Sequence, residues 1–124
     1  MKKILFLILL FMFSQPILAA DWHIVENTIY MYDKDTISRT KDTVRAWVIA
    51  DEKGKFNGKK YVYWKLYKEV NCIKKTSSTL YASTYNKKGK LITSVDFEYE
   101  DSVKVTRIVP NTIGETLFNE LCSY

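Results

Sequence analysis

The chain has 124 residues, 47% hydrophobic and 15% aromatic, with a formal net charge of +5. That length bounds the answer to one small domain, and the charge falls short of the strong bias of a dedicated nucleic-acid binder, so no nucleic acid is expected as partner. With one histidine and two cysteines that form no C-x-x-C, the chain offers no histidine pair and no thiolate cluster for a metal site.

Residues 1–20 (MKKILFLILLFMFSQPILAA) read as a secretory signal peptide: Lys2 and Lys3, then an unbroken apolar run, then a short stretch ending in Ala19 and Ala20. The apolar run, residues 4–13, is ten residues long, whereas a span of the bilayer needs about 20. Cleavage after Ala20 removes twenty of the 124 residues, leaves a single domain of 104 residues, 21–124, and lowers the charge from +5 to +3; cleavage after Ala19 is the alternative. The residue immediately after the cleavage site is Ala20 or Asp21, not the cysteine that a lipoprotein would place there. The expected product is therefore exported, periplasmic or secreted to the cell surface, with neither a lipid anchor nor a transmembrane helix.

The rest of the chain reads mainly as strands. Residues 22–26 and 28–32 are aromatic and β-branched and form one bent strand or two, with Asn27 as the break. Asp33 is placed to cap a single helical turn ending near Ile37. Residues 43–51 (TVRAWVIAD) look apolar on both faces, as a central strand covered on both sides would. Residues 52–60 (EKGKFNGKK) read as a loop.

Residues 61–72 (YVYWKLYKEVNC) alternate. Val62, Trp64, Leu66, Val70 and Cys72 share one face; Tyr61, Tyr63, Lys65, Tyr67 and Glu69 share the other. Residues 77–85 form the next strand. Residues 86–89 (NKKG) form a hairpin turn, with Asn86 and Gly89 at the positions that tolerate positive φ. Residues 91–99 alternate again, 100–102 turn, and 103–109 form a last strand that Pro110 stops. Thr112 and Glu115 match a capping box. Ile113, Leu117, Phe118 and Leu121 then form one helical stripe. The predicted fold is α+β: a small antiparallel sheet of about six strands with a C-terminal amphipathic helix packed on it.

Cys72 and Cys122 are an even count in an exported chain, which suggests one disulfide. Two buried free thiols are the alternative. A bond would tie the helix to the apolar face of the 61–72 strand.

Catalytic constellations are nearly absent. His23 lies next to the mature N-terminus beside Trp22, where an edge-strand or surface role fits better than a general base. Asp96 and Glu98 share a strand face and could in principle act as paired carboxylates, but a solvated polar face is by far the better explanation. The expectation is a non-enzymatic protein without cofactor, catalytic residue or metal site.

Two features point to binding. Lysines crowd the turns: Lys53, Lys55, Lys59 and Lys60 in one, Lys87, Lys88 and Lys90 in another. Such clusters attract polyanions and acidic protein surfaces, and they also guard sheet edges. Tyr61, Tyr63 and Tyr67 flank Lys65, an aromatic and cationic row suited to a protein interface and also to ordinary cross-strand packing.

The order and spacing of several blocks carry a family resemblance across nearly the whole mature chain. They are Trp22, T-I-Y-M-Y-D-K-D-T-I-S-R from Thr28, T-V-R-A-W-V from Thr43, K-L-Y-K-E-V-N-C ending at Cys72, and R-I-V-P-N-T-I-G-E-T-L-F-N-E-L-C ending at Cys122. In these the chain resembles the bacterial surface-adhesin protein E-like domain. The resemblance implies a small antiparallel sheet with a C-terminal helix. It also implies an exported, non-enzymatic protein of the kind that adheres to host extracellular-matrix and plasma proteins. No ligand-binding residue can be matched position by position. A soluble periplasmic accessory protein that binds a bacterial partner is the competing expectation.

Overall fold

The computed structural model describes residues 21–124, so the leader expected at residues 1–20 lies outside the described residues. Among the described residues are ten strands and one α-helix: β1 Trp22–Ile24, β2 Tyr30–Asp33, β3 Ser38–Arg39, β4 Thr43–Ala50, β5 Gly54–Phe56, β6 Lys59–Tyr61, β7 Tyr63–Asn71, β8 Thr76–Tyr85, β9 Leu91–Asp96, β10 Val105–Arg107 and α1 Ile113–Cys122. All strand pairs are antiparallel. One sheet runs β1-β2-β4-β7-β8-β10, with β3 pairing β4 and β9 pairing β8, and β5 with β6 forms a separate hairpin. No helix among the described residues is long and apolar enough to cross a membrane.

Asn27 breaks the first stretch into two strands, turning at φ 60°. Asp33 closes β2 and caps the single 3-10 turn Lys34–Thr36, its Oδ1 accepting from the Asp35 N–H at 3.0 Å. The same oxygen accepts from the Asp21 N–H at 3.0 Å, which fixes the start of β1.

β4 is central but covered on one side only. Val44, Ala46, Val48 and Ala50 are buried, while Thr43, Arg45, Trp47 and Ile49 alternate with them and remain half-buried. The expectation of cover on both sides fails because alternation, not uniform apolarity, describes this strand. The 52–60 loop is instead the β5–β6 hairpin. Its Asn57-Gly58 turn has φ 48° and 77°, the left-handed pair that matches strand twist in a two-residue hairpin.

In the β8–β9 turn only Gly89 has positive φ, at 80°. Asn86 works through its side chain instead: Oδ1 accepts from the N–H groups of Lys88 and Lys90, both at 2.9 Å.

β9 ends at Asp96, three residues short of expectation. The cause is a bulge in β8. Tyr81 pairs Tyr67 and Thr79 pairs Lys68, which leaves Leu80 as the extra residue. Its carbonyl takes the Phe97 N–H at 2.9 Å, and the chain turns away, with Ser102 N donating back to Phe97 O at 2.9 Å. The last strand shrinks accordingly to Val105–Arg107.

One helix covers part of one face of the sheet. Leu117, Phe118 and Leu121 of α1 pack with Val25, Tyr32, Val44, Ala46, Val48 and Val70. Ile113 does not join them and is 44% exposed, because it lies at the first helical position, ahead of the docked turns. Thr112 caps α1 by accepting from Glu115 N at 3.2 Å. Glu115 returns the contact one residue earlier than expected, to Asn111 N at 3.3 Å.

Cys72 and Cys122 are bonded, with Cα atoms 5.8 Å apart. The helix C-terminus is held a second time: Arg39 Nη1 donates to the carbonyls of Cys122 and Tyr124 at 3.2 and 2.7 Å. Beneath it, the buried Tyr32 hydroxyl donates to Glu120 Oε1 at 2.9 Å and meets the Tyr124 hydroxyl at 2.6 Å.

Candidate functional site

The face opposite α1 has no covering element among the described residues, and it is aromatic. Alternation in β4, β7 and β8 sends Trp47, Tyr67 and Tyr81 to it side by side, since Trp47 pairs Tyr67 and Tyr67 pairs Tyr81 across the strands. The Trp47 and Tyr67 ring centroids are 5.0 Å apart and tilted; Tyr81 meets Trp47 edge-on at 5.8 Å. Such pairs add about 0.5–1.5 kcal/mol each beyond burial. Further along, Tyr63 stacks on Tyr85 at 5.1 Å, and the Lys65 ammonium lies 5.1 Å from the Tyr85 ring centre, within cation–π range.

Of these, Trp47, Lys65, Tyr67, Tyr81 and Tyr85 wall a shallow cavity of about 570 Å³. Asp33, Asp96 and Glu98 line it as well, so it mixes aromatic rings with carboxylates. Asp33 is only 4% exposed, and its Oδ1 is committed to backbone donors. On the same face Arg45 Nε donates to Glu69 Oε2 at 2.6 Å, and that hydrogen bond raises the guanidinium pKa further above its already high value. Asp96 and Glu98 do come together here. Neither meets a histidine, because His23 stacks on Tyr32 at 5.7 Å and lies 3.3 Å from Asp21.

Of the tyrosine row read from the sequence, Tyr63, Lys65 and Tyr67 share this open face. Tyr61 does not. It belongs to β6, where it packs edge-on against Trp64 at 5.2 Å. The one-residue link at Val62 breaks the alternation that placed it in the row. Gly54 accommodates that ring: any β-carbon there would collide with the Tyr61 phenol.

The lysine-bearing turns converge at one end of the sheet. The β5–β6 hairpin, with Lys53, Lys55, Lys59 and Lys60, feeds directly into β7, whose first residue pairs with the last of β8. Lys87, Lys88 and Lys90 follow β8 at once, and β6 lies against β9. Lys55 and Lys60 are a direct cross-strand pair. Like charges placed so closely are unfavourable unless screened or matched by an anion. Seven lysines from two turns far apart in sequence are thus brought to one end of the sheet, at the Tyr63–Tyr85 end of the aromatic face.

Trp22, Trp47, Tyr81, Tyr85 and Asp33 on the open face were not recognised from the sequence. For Trp47 the signal was present, since T-R-W-I alternates with V-A-V-A along β4. For Tyr81 and Tyr85 the signal was their two-residue spacing from Ser83.

No match was found among the curated proteins. Solved structures of protein E share the fold. Protein E of Haemophilus influenzae superposes with a TM-score of 0.60 at 14% identity, covering 86% of each chain. A crystal structure of protein E from non-typeable Haemophilus influenzae gives 0.60 at 16%, covering 89% of this chain and 81% of that one. The sequence profile of surface-adhesin protein E matches residues 22–123. The chain therefore belongs to the surface-adhesin protein E family.

Proposed function

We propose that this chain is an exported, non-enzymatic binding module of the adhesin type. It would recognise a protein or polyanionic partner through its basic turns and its aromatic sheet face. One observation carries the reading: a disulfide-tethered helix covers one face of the sheet, while the other face presents half-buried aromatic rings with Lys65, Asp33, Asp96 and Glu98, and the lysine-bearing turns lie at its Tyr63–Tyr85 end. A rigid sheet presenting Trp, Tyr and cations suits recognition, since aromatic anchors carry interface energy and cations steer the encounter. Family membership agrees with an adhesin-like role at the cell exterior. The leader at residues 1–20 would supply export, and a host extracellular-matrix protein is the natural protein partner to test.

The test is binding to immobilised heparin and to matrix proteins at graded salt. Wild type should bind saturably and weaken with salt, as contacts between exposed charges are screened. Replacing Lys87, Lys88 and Lys90 together by glutamate should cost about tenfold or more in affinity. Unchanged binding would remove the β8–β9 turn from the site. Cell fractionation decides the location of the partner: a protein confined to the periplasm meets only bacterial ligands, and the adhesin reading would then fall.

A further inference from the structure

On the helix-covered side of the sheet, away from the aromatic face, two grooves meet at Lys68. The larger, about 360 Å³, runs past Thr79, Phe97, Ser102 and Lys104. The smaller, about 220 Å³, passes between β10 and the start of α1, with Arg107, Ile108 and Leu117 on its walls. Lys68, Ser77 and Thr106 border both. No carboxylate lines either groove.

Lys68 is half-buried, projecting from β7 to the same side as Val70. Its Nζ donates to Thr79 Oγ1 at 2.9 Å. Among the described residues no carboxylate pairs with it. Taking an ammonium out of water without a counter-charge is costly. An ammonium has three donors, and Thr79 satisfies one. Having accepted from Lys68, the Thr79 hydroxyl keeps its own proton to donate. The other titratable side chains facing the site are Lys104 and Arg107, both cationic, and Tyr30. Burial first, and Glu52 second, raise the Tyr30 phenol pKa, so it too is a neutral donor.

We infer that Lys68 anchors a second site, one that takes the oxyanion group of a small ligand: a carboxylate, phosphate or sulfate held between Lys68 and Lys104. The bound anion would receive the free Lys68 donors and the Thr79 hydroxyl. An apolar chain on the ligand would extend along Leu117 and Ile108 in the smaller groove. Burial lowers the Lys68 pKa below the usual lysine range, and a bound anion would raise it again by favouring the charged form.

The oxidised protein is titrated with inorganic phosphate and, separately, with octanoate, at ionic strength held constant with chloride. The Lys68 Cε and Nζ resonances are followed alongside thermal unfolding. The expected result is a saturable shift at Lys68 and a melting-temperature rise of about 6–11 °C at ten times the dissociation constant. Tighter binding of octanoate would assign the smaller groove to the ligand chain; tighter binding of phosphate would assign the site to the free anion. Lys68→Met should fold, since it keeps the volume and removes a desolvated charge, and should lose the response. Combined replacement of Lys87, Lys88 and Lys90 by glutamate should leave the response intact, which separates this site from the basic turns. No saturable shift at Lys68 with either probe, or an equal melting rise in Lys68→Met, would overturn the inference.

Discussion

The disulfide closes a sequence separation of 50 residues, and its removal offers the sharpest test of how this domain is held together. Loop-closure entropy for that length gives about 4 kcal/mol of stabilisation at 25 °C. A domain near 100 residues has only about 5–15 kcal/mol in total. Each kcal/mol moves the melting point of such a domain by about 4–8 °C. The double variant Cys72→Ser, Cys122→Ser should therefore melt roughly 15–30 °C below the oxidised wild type. The structure sharpens this estimate in one respect. Arg39 still grips the helix C-terminus through two carbonyls, and Leu117, Phe118 and Leu121 still dock, so the reduced helix remains in place at low temperature. Circular dichroism should show near-native helix at 10 °C and a single transition at the lower temperature. Addition of reductant to wild type should reproduce the shift. A double variant that melts within about 5 °C of wild type would refute the account. The staple would then constrain an unfolded state that was already compact.

Tyr32→Phe removes the hydroxyl that joins Glu120 and Tyr124 under the helix, and should cost about 1–3 kcal/mol at pH 7 by chemical denaturation. Burial first, then hydrogen bonds with Tyr124 and Glu120, raises the Tyr32 pKa above its unfolded value of 10.0. Its stabilisation is therefore complete below about pH 10 and lost as pH climbs toward the folded value, so the gap between variant and wild type should narrow in that alkaline window. A gap independent of pH would detach the effect from the phenol proton. Gly54→Ala places a methyl in the Tyr61 ring and should cost about 1–3 kcal/mol, displacing Tyr61 from Trp64; an unmoved Trp64 indole resonance would contradict the close approach.

The elements that were legible in the sequence are those set by local chemistry. Asp33 capping a single turn, Thr112 capping α1 and the Leu117, Phe118 and Leu121 stripe each depend on residues within one or two turns of one another. The pairing of Cys72 with Cys122 required only a parity count and an exported context. What the sequence hid was set at a distance. The end of β9 is decided by the Leu80 bulge, sixteen residues before Asp96, and nothing in residues 91–99 themselves announces it. The β5–β6 hairpin was hidden by its lysines, although Asn57-Gly58 is a strong hairpin signal. Trp47 was lost because β4 was read for its apolar content rather than its period. Half of the candidate face follows from alternation in β7; the other half needs the register of β4 and β8, which only the paired sheet supplies.

The two faces of the sheet are linked by a geometric shortage. A ten-residue helix is about 15 Å long, while six strand positions span about 24 Å. A single helix can cover only part of one face and none of the other. An antiparallel sheet usually resolves this by making its second face polar. Here that face carries Trp47, Tyr67, Tyr81 and Tyr85 instead. Tyrosine and tryptophan tolerate such a position because one edge of each ring can stay hydrogen-bonded to water, and Lys65, Arg45 and Glu69 interleave charge among them. Their rings are only half-buried, so they gain less than full burial would give, and the buried side chains on the other face of β4 and β7 add to the stability of the same strands. The ladders between β4, β7 and β8 hold those strands in register and so set three rings side by side, while the helix, its disulfide and the Tyr32 hydroxyl stabilise the sheet from its other face. Reduction should therefore leave partner binding at the opposite face intact at 10 °C and weaken it only as the temperature nears the lowered melting point, although no residue of α1 lines that face.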